Sequence, residues 1–326
     1  KRIVNRQTMI KTLSQCGNEI SKTEFLNNEL LQEVYNHNQW FTNENVRHAV
    51  QSITTEILNK EKLTEWLNSY PEQKSENKKI GLVMAGNLPL VGFHDLLCVL
   101  AAGHVAFVKL SSKDKILLPA MVKKLFELDE TFKQKIVFTE VLKSADAFIA
   151  TGSNNSARYF EYYFGKYPNI IRRNRGSVGV LTGDESEPYI EKLGNDVFSY
   201  FGLGCRNVSK LMVPFDYDFK NFFEGIASFH HVMDHSKYKN NYDYNRTLLL
   251  MNNTPHLTND FVMLEEKQEV VSPVAILNYE FYADEKDLQQ KLNRDAENIQ
   301  CIVGSGFIPF GEAQHPSLND YADGID

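Results

Sequence analysis

The sequence of 326 residues predicts an α/β protein: a helical front end, a parallel-sheet domain and a second α/β domain. Three observations carry this. Residues 7–70 place apolar side chains at helical spacing. From Ile80 onward, short apolar runs alternate with helix-like segments, the pattern of a parallel sheet covered on both faces. The length suffices for two domains of ordinary size, each with its own core.

The front end reads as helices in "EFLNNELLQEVYNHNQWF" and "NVRHAVQSITTEILNKEKLTEWLNSY", and the polar "PEQKSENKK", Pro71 to Lys79, reads as a linker. Then come a strand, "KIGLVMAGN", and a helix, "PLVGFHDLLCVLAAG". "HVAFVKLS" is a strand, "ILLPAMVKKLFEL" a helix, and "KIVFTEV", "DAFIATGS" and "RGSVGVLTG" are strands. In the second half "KLMVP", "TLLLMNN" and "VVSPVAILNYEF" read as strands, and the helix "DEKDLQQKLNRD" precedes "NIQCIVG". The expected organisation is a helical segment over 1–75, a nucleotide-type sheet domain over 76–178, a second domain carrying Cys205 over 179–305, and a segment over 306–326 returning to the active site or an interface.

Composition narrows the class. Hydrophobic residues make up 42% and charged residues 24%, as in soluble globular proteins. The net charge of -7 argues against a nucleic-acid partner, which favours a basic surface. The four cysteines lie far apart, with neither a disulfide framework nor zinc-ligand spacing, which suggests a reducing compartment. No apolar run reaches the roughly 18 residues of a membrane span, and no signal-peptide pattern is visible. The expectation is a cytoplasmic protein without a metal. His230, His231 and His235 lack trustworthy ligand spacing and read as a solvated helix face.

Three strand ends in the first sheet finish in polar or glycine-containing loops: Asn87 in "AGN", Lys109 with Ser111 and Ser112 in "VKLSS", and Gly152-Ser153 in "ATGSNN". Parallel sheets bind ligands at such carboxyl ends. None of the loops is G-x-G-x-x-G, so the usual dinucleotide fingerprint is missing. A lysine there can meet a ribose or phosphate, and Gly-Ser opening a helix offers N–H groups to an anion. Each also has an ordinary reading, as a solvated lysine or a helix cap. Cys205, in "FGLGCRN", has neighbours unlike those of a packed cysteine. Its glycines allow close approach, and Arg206 is placed to favour a thiolate; a turn that contains a cysteine is the equal alternative.

In order, "MAGNLPLVGFHDLLCVLAAGHVAFVKLSSKD", "ATGSNNSARYF", "RNRGSVGVLTG", "GLGCRNVSKLMVP", "EVVSPVA" and "IPFGEAQHP" resemble the aldehyde dehydrogenase superfamily. The detail resembles its acyl-CoA reductase branch, the LuxC-type fatty-acyl reductases, from about Ile80 to the carboxyl end. The resemblance implies a Rossmann-type cofactor domain and a catalytic domain. It makes Cys205 the nucleophile and Asn87 the oxyanion-hole amide, aided by the Cys205 backbone N–H. Lys109, with Ser111 and Ser112 after it, is placed at the adenosine ribose. Gly152 and Ser153 open the cofactor-facing helix, Glu269 meets the nicotinamide ribose, and Pro309 to Gly311 line the active site.

Two departures from the superfamily pattern refine this. "NRGS" stands where a Glu-Leu-Gly-Gly carries the general base, so Asn174 replaces a glutamate, and an amide accepts no proton at neutral pH. Hydrolysis of an acyl-enzyme loses its catalyst, whereas thioester exchange needs none. Ser112 followed by Lys113 replaces the acidic residue that meets a ribose 2′-hydroxyl, which favours NADPH, with NADH the alternative. The resemblance therefore implies NADPH-dependent reduction of a fatty acyl-CoA, or another acyl thioester, to an aldehyde through an acyl-cysteine. Rival readings are an aldehyde dehydrogenase forming free acid, a cysteine hydrolase, and a non-catalytic nucleotide-binding or partner-binding scaffold. A homo-oligomer or an acyl-donor protein is the further partner the resemblance leaves open.

Overall fold

The computed structural model describes residues 5–71 and 77–325. The middle of the expected linker, 72–76, lies outside them. The chain divides into two compact units, Lys1–Arg173 with Pro316–Asp326, and Asn174–His315.

The first unit begins with α1 (Arg6–Ile20), α2 (Asn28–His37), α3 (Asn43–Ser52) and α4 (Lys60–Asn68). Each starts where a short polar side chain can cap it: Asn5, Asn27, Thr42 and Asn59 all accept from backbone N–H groups of the first turn. Such caps contribute about 1 kcal/mol each. There follow β1 (Lys79–Val83), α5 (Phe93–Ala101), β2 (Val105–Lys109), α6 (Leu117–Leu128), β3 (Ile136–Phe138), β4 (Ala147–Thr151), α7 (Asn154–Phe164) and β5 (Asn169–Arg172). The strands form one parallel sheet in the order β3-β2-β1-β4-β5. The front helices share one buried cluster with it: Leu13, Leu31, Val46 and Leu63 belong with Leu82, Val108 and Leu96. The tail 316–325 docks on the same unit, burying Leu318. Trp66 Nε1 donates to Tyr321 Oη at 2.6 Å, and His94 Nε2 lies 3.0 Å from Leu318 O.

The second unit comprises β6 (Gly176–Val180), α8 (Glu187–Phe198), β7 (Val208–Pro214), α9 (Phe219–Gly225), α10 (Ser236–Met251), β8 (Leu257–Thr258), β9 (Met263–Glu266), β10 (Ile276–Tyr282), α11 (Glu285–Asp295) and β11 (Ile299–Gly304). Its sheet runs β11-β6-β7-β10-β9-β8, parallel except for β8 at the edge.

Two expected strands are corrected. "TLLLMNN" carries the end of α10, because the segment buries Tyr238, Tyr242, Asn245 and Leu249, one helical face. Leu248, Leu250 and Met251 are exposed, so the apolar run marks no buried strand. "VVSPVAILNYEF" is a strand only from Ile276; before it the chain turns through Pro273 and a left-handed Ala275 (φ 65°).

Candidate functional site

The first sheet reverses its winding between β1 and β4, and the crevice outside the carboxyl ends of such strands is where doubly wound sheets take ligands. Asn87 follows β1, and Gly152 and Ser153 follow β4. Lys109 ends β2, with Ser111 and Ser112 just beyond. The structure thus brings all six residues to one edge of one sheet. Ser153 also caps α7, accepting from Ser156 N at 3.3 Å.

The loops at this edge are tied to one another. A Cβ on Gly86 would collide with the side chain of Ser111, so glycine is what lets the Asn87 loop lie against the loop after β2. Leu90, left-handed at φ 58°, donates from its N–H to Asp114 Oδ2 at 3.2 Å. Burial pushes the Asp114 carboxyl above its ordinary range, opposed by hydrogen bonds from the N–H groups of Leu90, Leu117 and Leu118. From the end of α2, His37 Nε2 lies 2.9 Å from Ser112 O, and Asn38 Nδ2 donates to Lys113 O at 3.2 Å. His37, Asn38 and Asp114 carried no signal in the sequence, since their partners lie far along the chain or on a bare backbone.

In the second unit Cys205 is half-buried, three residues before β7, at the amino edge of the sheet. The carboxyl-end rule therefore describes the first sheet and not this cysteine. Its loop is entered through Tyr200, Phe201 and Gly202, all left-handed (φ 52°, 59° and 74°). The two aromatic residues cost about 1–2 kcal/mol each in that conformation, and such strain persists only where the surroundings impose it. Here they do. Asn207, buried, donates from Nδ2 to Asp196 O and Ser199 O and accepts from Gly204 N at 2.8 Å. Ser177 Oγ donates to Cys205 O at 3.0 Å, and Arg206 Nε donates to Ala313 O at 2.5 Å. Arg206 is thereby held by a backbone carbonyl.

Asn174 stands just before β6, the parallel neighbour of β7, at the same amino edge as Cys205. Glu269 is exposed in the β9–β10 connection, and its carbonyl accepts from Asn278 Nδ2 at 2.8 Å. Next to it Val270 packs beside Gly176, the first residue of β6. The Pro309 to Gly311 segment is pinned by Asp196, which accepts from Gly311 N at 2.7 Å and Ala313 N at 3.0 Å. Burial pushes the Asp196 carboxyl up to about 6 against these two bonds.

Among the described residues, no three His, Cys, Asp or Glu side chains group to hold a metal, and no helix is long and apolar enough to cross a membrane.

Comparison with known proteins finds similarity of two kinds. The family model of the acyl-CoA reductases named LuxC matches residues 10–163. Over that stretch, just under half of the chain, the sequence is similar to the LuxC acyl-CoA reductases. The protein is accordingly an enzyme of the acyl-CoA reductase kind. The LuxC match runs from within α1 to within α7, so Cys205 and Glu269 lie beyond it. Solved structures extend the likeness of fold across both units. Aldehyde dehydrogenase 21 from Physcomitrella patens, in complex with succinate, aligns over 92% of this chain and 73% of its own, with 13% identity and a TM-score of 0.66. The aldehyde dehydrogenase KauB from Pseudomonas aeruginosa aligns over 93% and 72%, with 11% identity and a TM-score of 0.67. An NADP-dependent enzyme of E. coli aligns over 91% and 72%, with 11% identity and a TM-score of 0.64. At these identities the likeness is one of fold. Curated protein sequences yield no match. The chain thus has the aldehyde dehydrogenase fold expected from its ordered motifs.

Proposed function

We propose that the protein reduces an acyl-CoA thioester to the aldehyde with NADPH, through an acyl group carried on Cys205. The observation that supports this most directly is the Cys205 loop: a half-buried thiol on a strained, many-point-anchored turn, with Asn174 rather than a carboxylate at the same sheet edge.

Cys205 thiolate attacks the thioester carbonyl, the carbonyl π electrons move to oxygen, and the Asn87 side-chain amide donates to that oxyanion. Collapse breaks the bond to CoA sulfur and leaves an acyl thioester on Cys205. Asn174 can neither take a proton from water nor activate it, so the acyl group is spared hydrolysis. NADPH, when bound, supplies a hydride to the acyl carbon. The Cys205 sulfur then leaves as the carbonyl re-forms, and aldehyde departs.

The residues present fit a dinucleotide. Gly86 and Gly152 lie on either side of the β1–β4 switch point and let its loops pack closely: a Cβ on Gly86 would collide with Ser111, and one on Gly152 would come within 2.9 Å of Phe160 and Ser156. Lys109 and the N-terminus of α7 lie at the same edge. Ser112 in place of an acidic residue removes repulsion against a ribose 2′-phosphate, and the exposed Lys113 after it adds a positive charge, which favours NADPH over NADH.

The test is intact mass after mixing with dodecanoyl-CoA, with and without NADPH. An acyl adduct that maps to Cys205, vanishes on adding NADPH and fails to form in Cys205→Ala is the expected result. Free acid released without nucleotide would make the protein a hydrolase and overturn the reading.

A further inference from the structure

The loop that carries Glu269 is anchored through three successive carbonyls. Lys210 Nζ donates to Gln268 O at 2.6 Å, Asn278 Nδ2 to Glu269 O at 2.8 Å, and Ser209 Oγ to Val270 O at 2.8 Å. Ser209 and Lys210 are consecutive on β7 and would ordinarily face opposite sides of the sheet. They reach the same loop because β7 is bulged there: Ser177 pairs with Val208 and Val178 with Lys210, leaving Ser209 over. A bulge re-aims side chains in this way. Gly176 permits it, since a Cβ at that position would collide with Ser209 Oγ.

Lys210 has no exposed surface, an expensive place for an ammonium group. Its ion pairs compensate the charge but do not account for its reach to the loop. Glu280 and Asp295 bond to Lys210 at 2.6 and 3.0 Å, but Arg294 Nη2 also holds both, at 2.8 and 2.7 Å. Burial pushes both carboxyls up, and the hydrogen bonds from Arg294 and Lys210 outweigh it and hold them below their ordinary range. What Lys210 alone supplies is the bond to Gln268 O.

We infer that Lys210, with Ser209, is a positioning residue that fixes the 268–270 backbone and so presents the Glu269 carboxylate for dinucleotide binding. This rests on the reading of Glu269 as a ribose ligand. The carboxylate itself is exposed, so the order of the loop beneath it decides how much freedom is lost when a ribose is bound.

The experiment compares Lys210→Met and the milder Ser209→Ala with the unaltered protein by hydrogen exchange of amides 268–271 and by kinetics. Exchange should quicken and KM for NADPH should rise about tenfold or more in Lys210→Met, less in Ser209→Ala. CoA release from dodecanoyl-CoA without nucleotide, a half-reaction that does not use the loop, should keep its rate. Unchanged exchange in both variants overturns the inference, as does CoA release that falls in step with the loss of NADPH affinity. Quicker exchange with an unmoved KM leaves the anchoring standing and sinks the role given to Glu269. Exchange needs no turnover, so the anchoring is decided even if the proposed reaction fails.

Discussion

The Asp196 carboxylate, wholly buried at the end of α8, accepts the backbone N–H of Gly311 at 2.7 Å and reaches Ala313 with its other oxygen. The same residue's carbonyl receives Asn207 Nδ2, two residues from Cys205, while Arg206 bonds Ala313 O. The turn that carries the cysteine and the segment Pro309–Ala313 are therefore parts of one hydrogen-bonded network, joined directly by Arg206 and through Asp196, whose backbone carbonyl holds the turn and whose carboxylate holds the segment.

That carboxylate predicts a pH dependence. Burial puts its folded value at about 6 against an ordinary 3.8, so between those limits the folded chain holds a proton that the unfolded chain has released. Stability from this group accordingly falls as pH rises through about 4 to 6 and levels off above. A displacement of that size is worth about 3 kcal/mol. Asp196→Asn cannot titrate. Urea midpoints measured from pH 4.5 to 7.5 should show the unaltered protein gaining on the variant as pH falls; a constant difference contradicts the assignment.

Gly86 predicts a steric outcome. Alanine there drives a methyl group into the Cβ and Oγ of Ser111, so the Asn87 loop must move off the loop after β2. Gly86→Ala should lower the melting temperature and cut turnover by an order of magnitude or more. Adding Ser111→Gly removes both colliding atoms and should restore most of the turnover, although Ser111 stands among the proposed cofactor contacts. A double variant no better than the single one removes the steric explanation.

How far these features were legible in the sequence differs from residue to residue. The central strands announced themselves, because β1, β2, β4 and β6 are apolar on both faces and leave uninterrupted runs such as "GLVMA" and "SVGVL". "TLLLMNN" misled for the same reason: its leucines are apolar yet Leu248 and Leu250 face outward, and only the spacing of Tyr238, Tyr242 and Leu249 shows the helix. The candidate site residues were found through ordered motifs. What holds them was not, since Asp114, Asp196, Asn207 and Lys210 are polar residues whose roles depend on partners up to 117 positions away. Nor could local propensity place Tyr200 and Phe201 in left-handed backbone, where a network imposes what their side chains disfavour.

Asn87 gives a kinetic prediction. If its amide donates to the oxyanion of the Cys205 adduct, Asn87→Ala removes one preorganised donor and should slow CoA release by about 100- to 1000-fold. The loop should survive, because Leu90 N stays bonded to Asp114 and Gly86 keeps its contact with Ser111. Rapid-quench measurement of CoA release in a single turnover reads the step directly. A variant within threefold of the unaltered protein would place the oxyanion elsewhere.

Asn174 supplies the sharpest test of the chemistry. It stands just before β6, the neighbour of the strand that Cys205 precedes, at the same edge, with a side chain that has no basic lone pair. Asn174→Glu adds a carboxylate on a side chain one methylene longer, which at neutral pH can take a proton from water. The acyl group on Cys205 would then have two fates, hydride or hydroxide. In the unaltered protein, acyl-enzyme prepared without NADPH should persist for minutes and give almost only aldehyde when NADPH is added. In Asn174→Glu the same acyl-enzyme should decay to free acid, and the acid fraction should rise with the delay before NADPH. Exposure at Asn174 leaves room for the added charge, so lost folding is not expected to mask the result. Equal acyl-enzyme lifetimes in the two proteins would mean that the missing glutamate is not what protects the thioester.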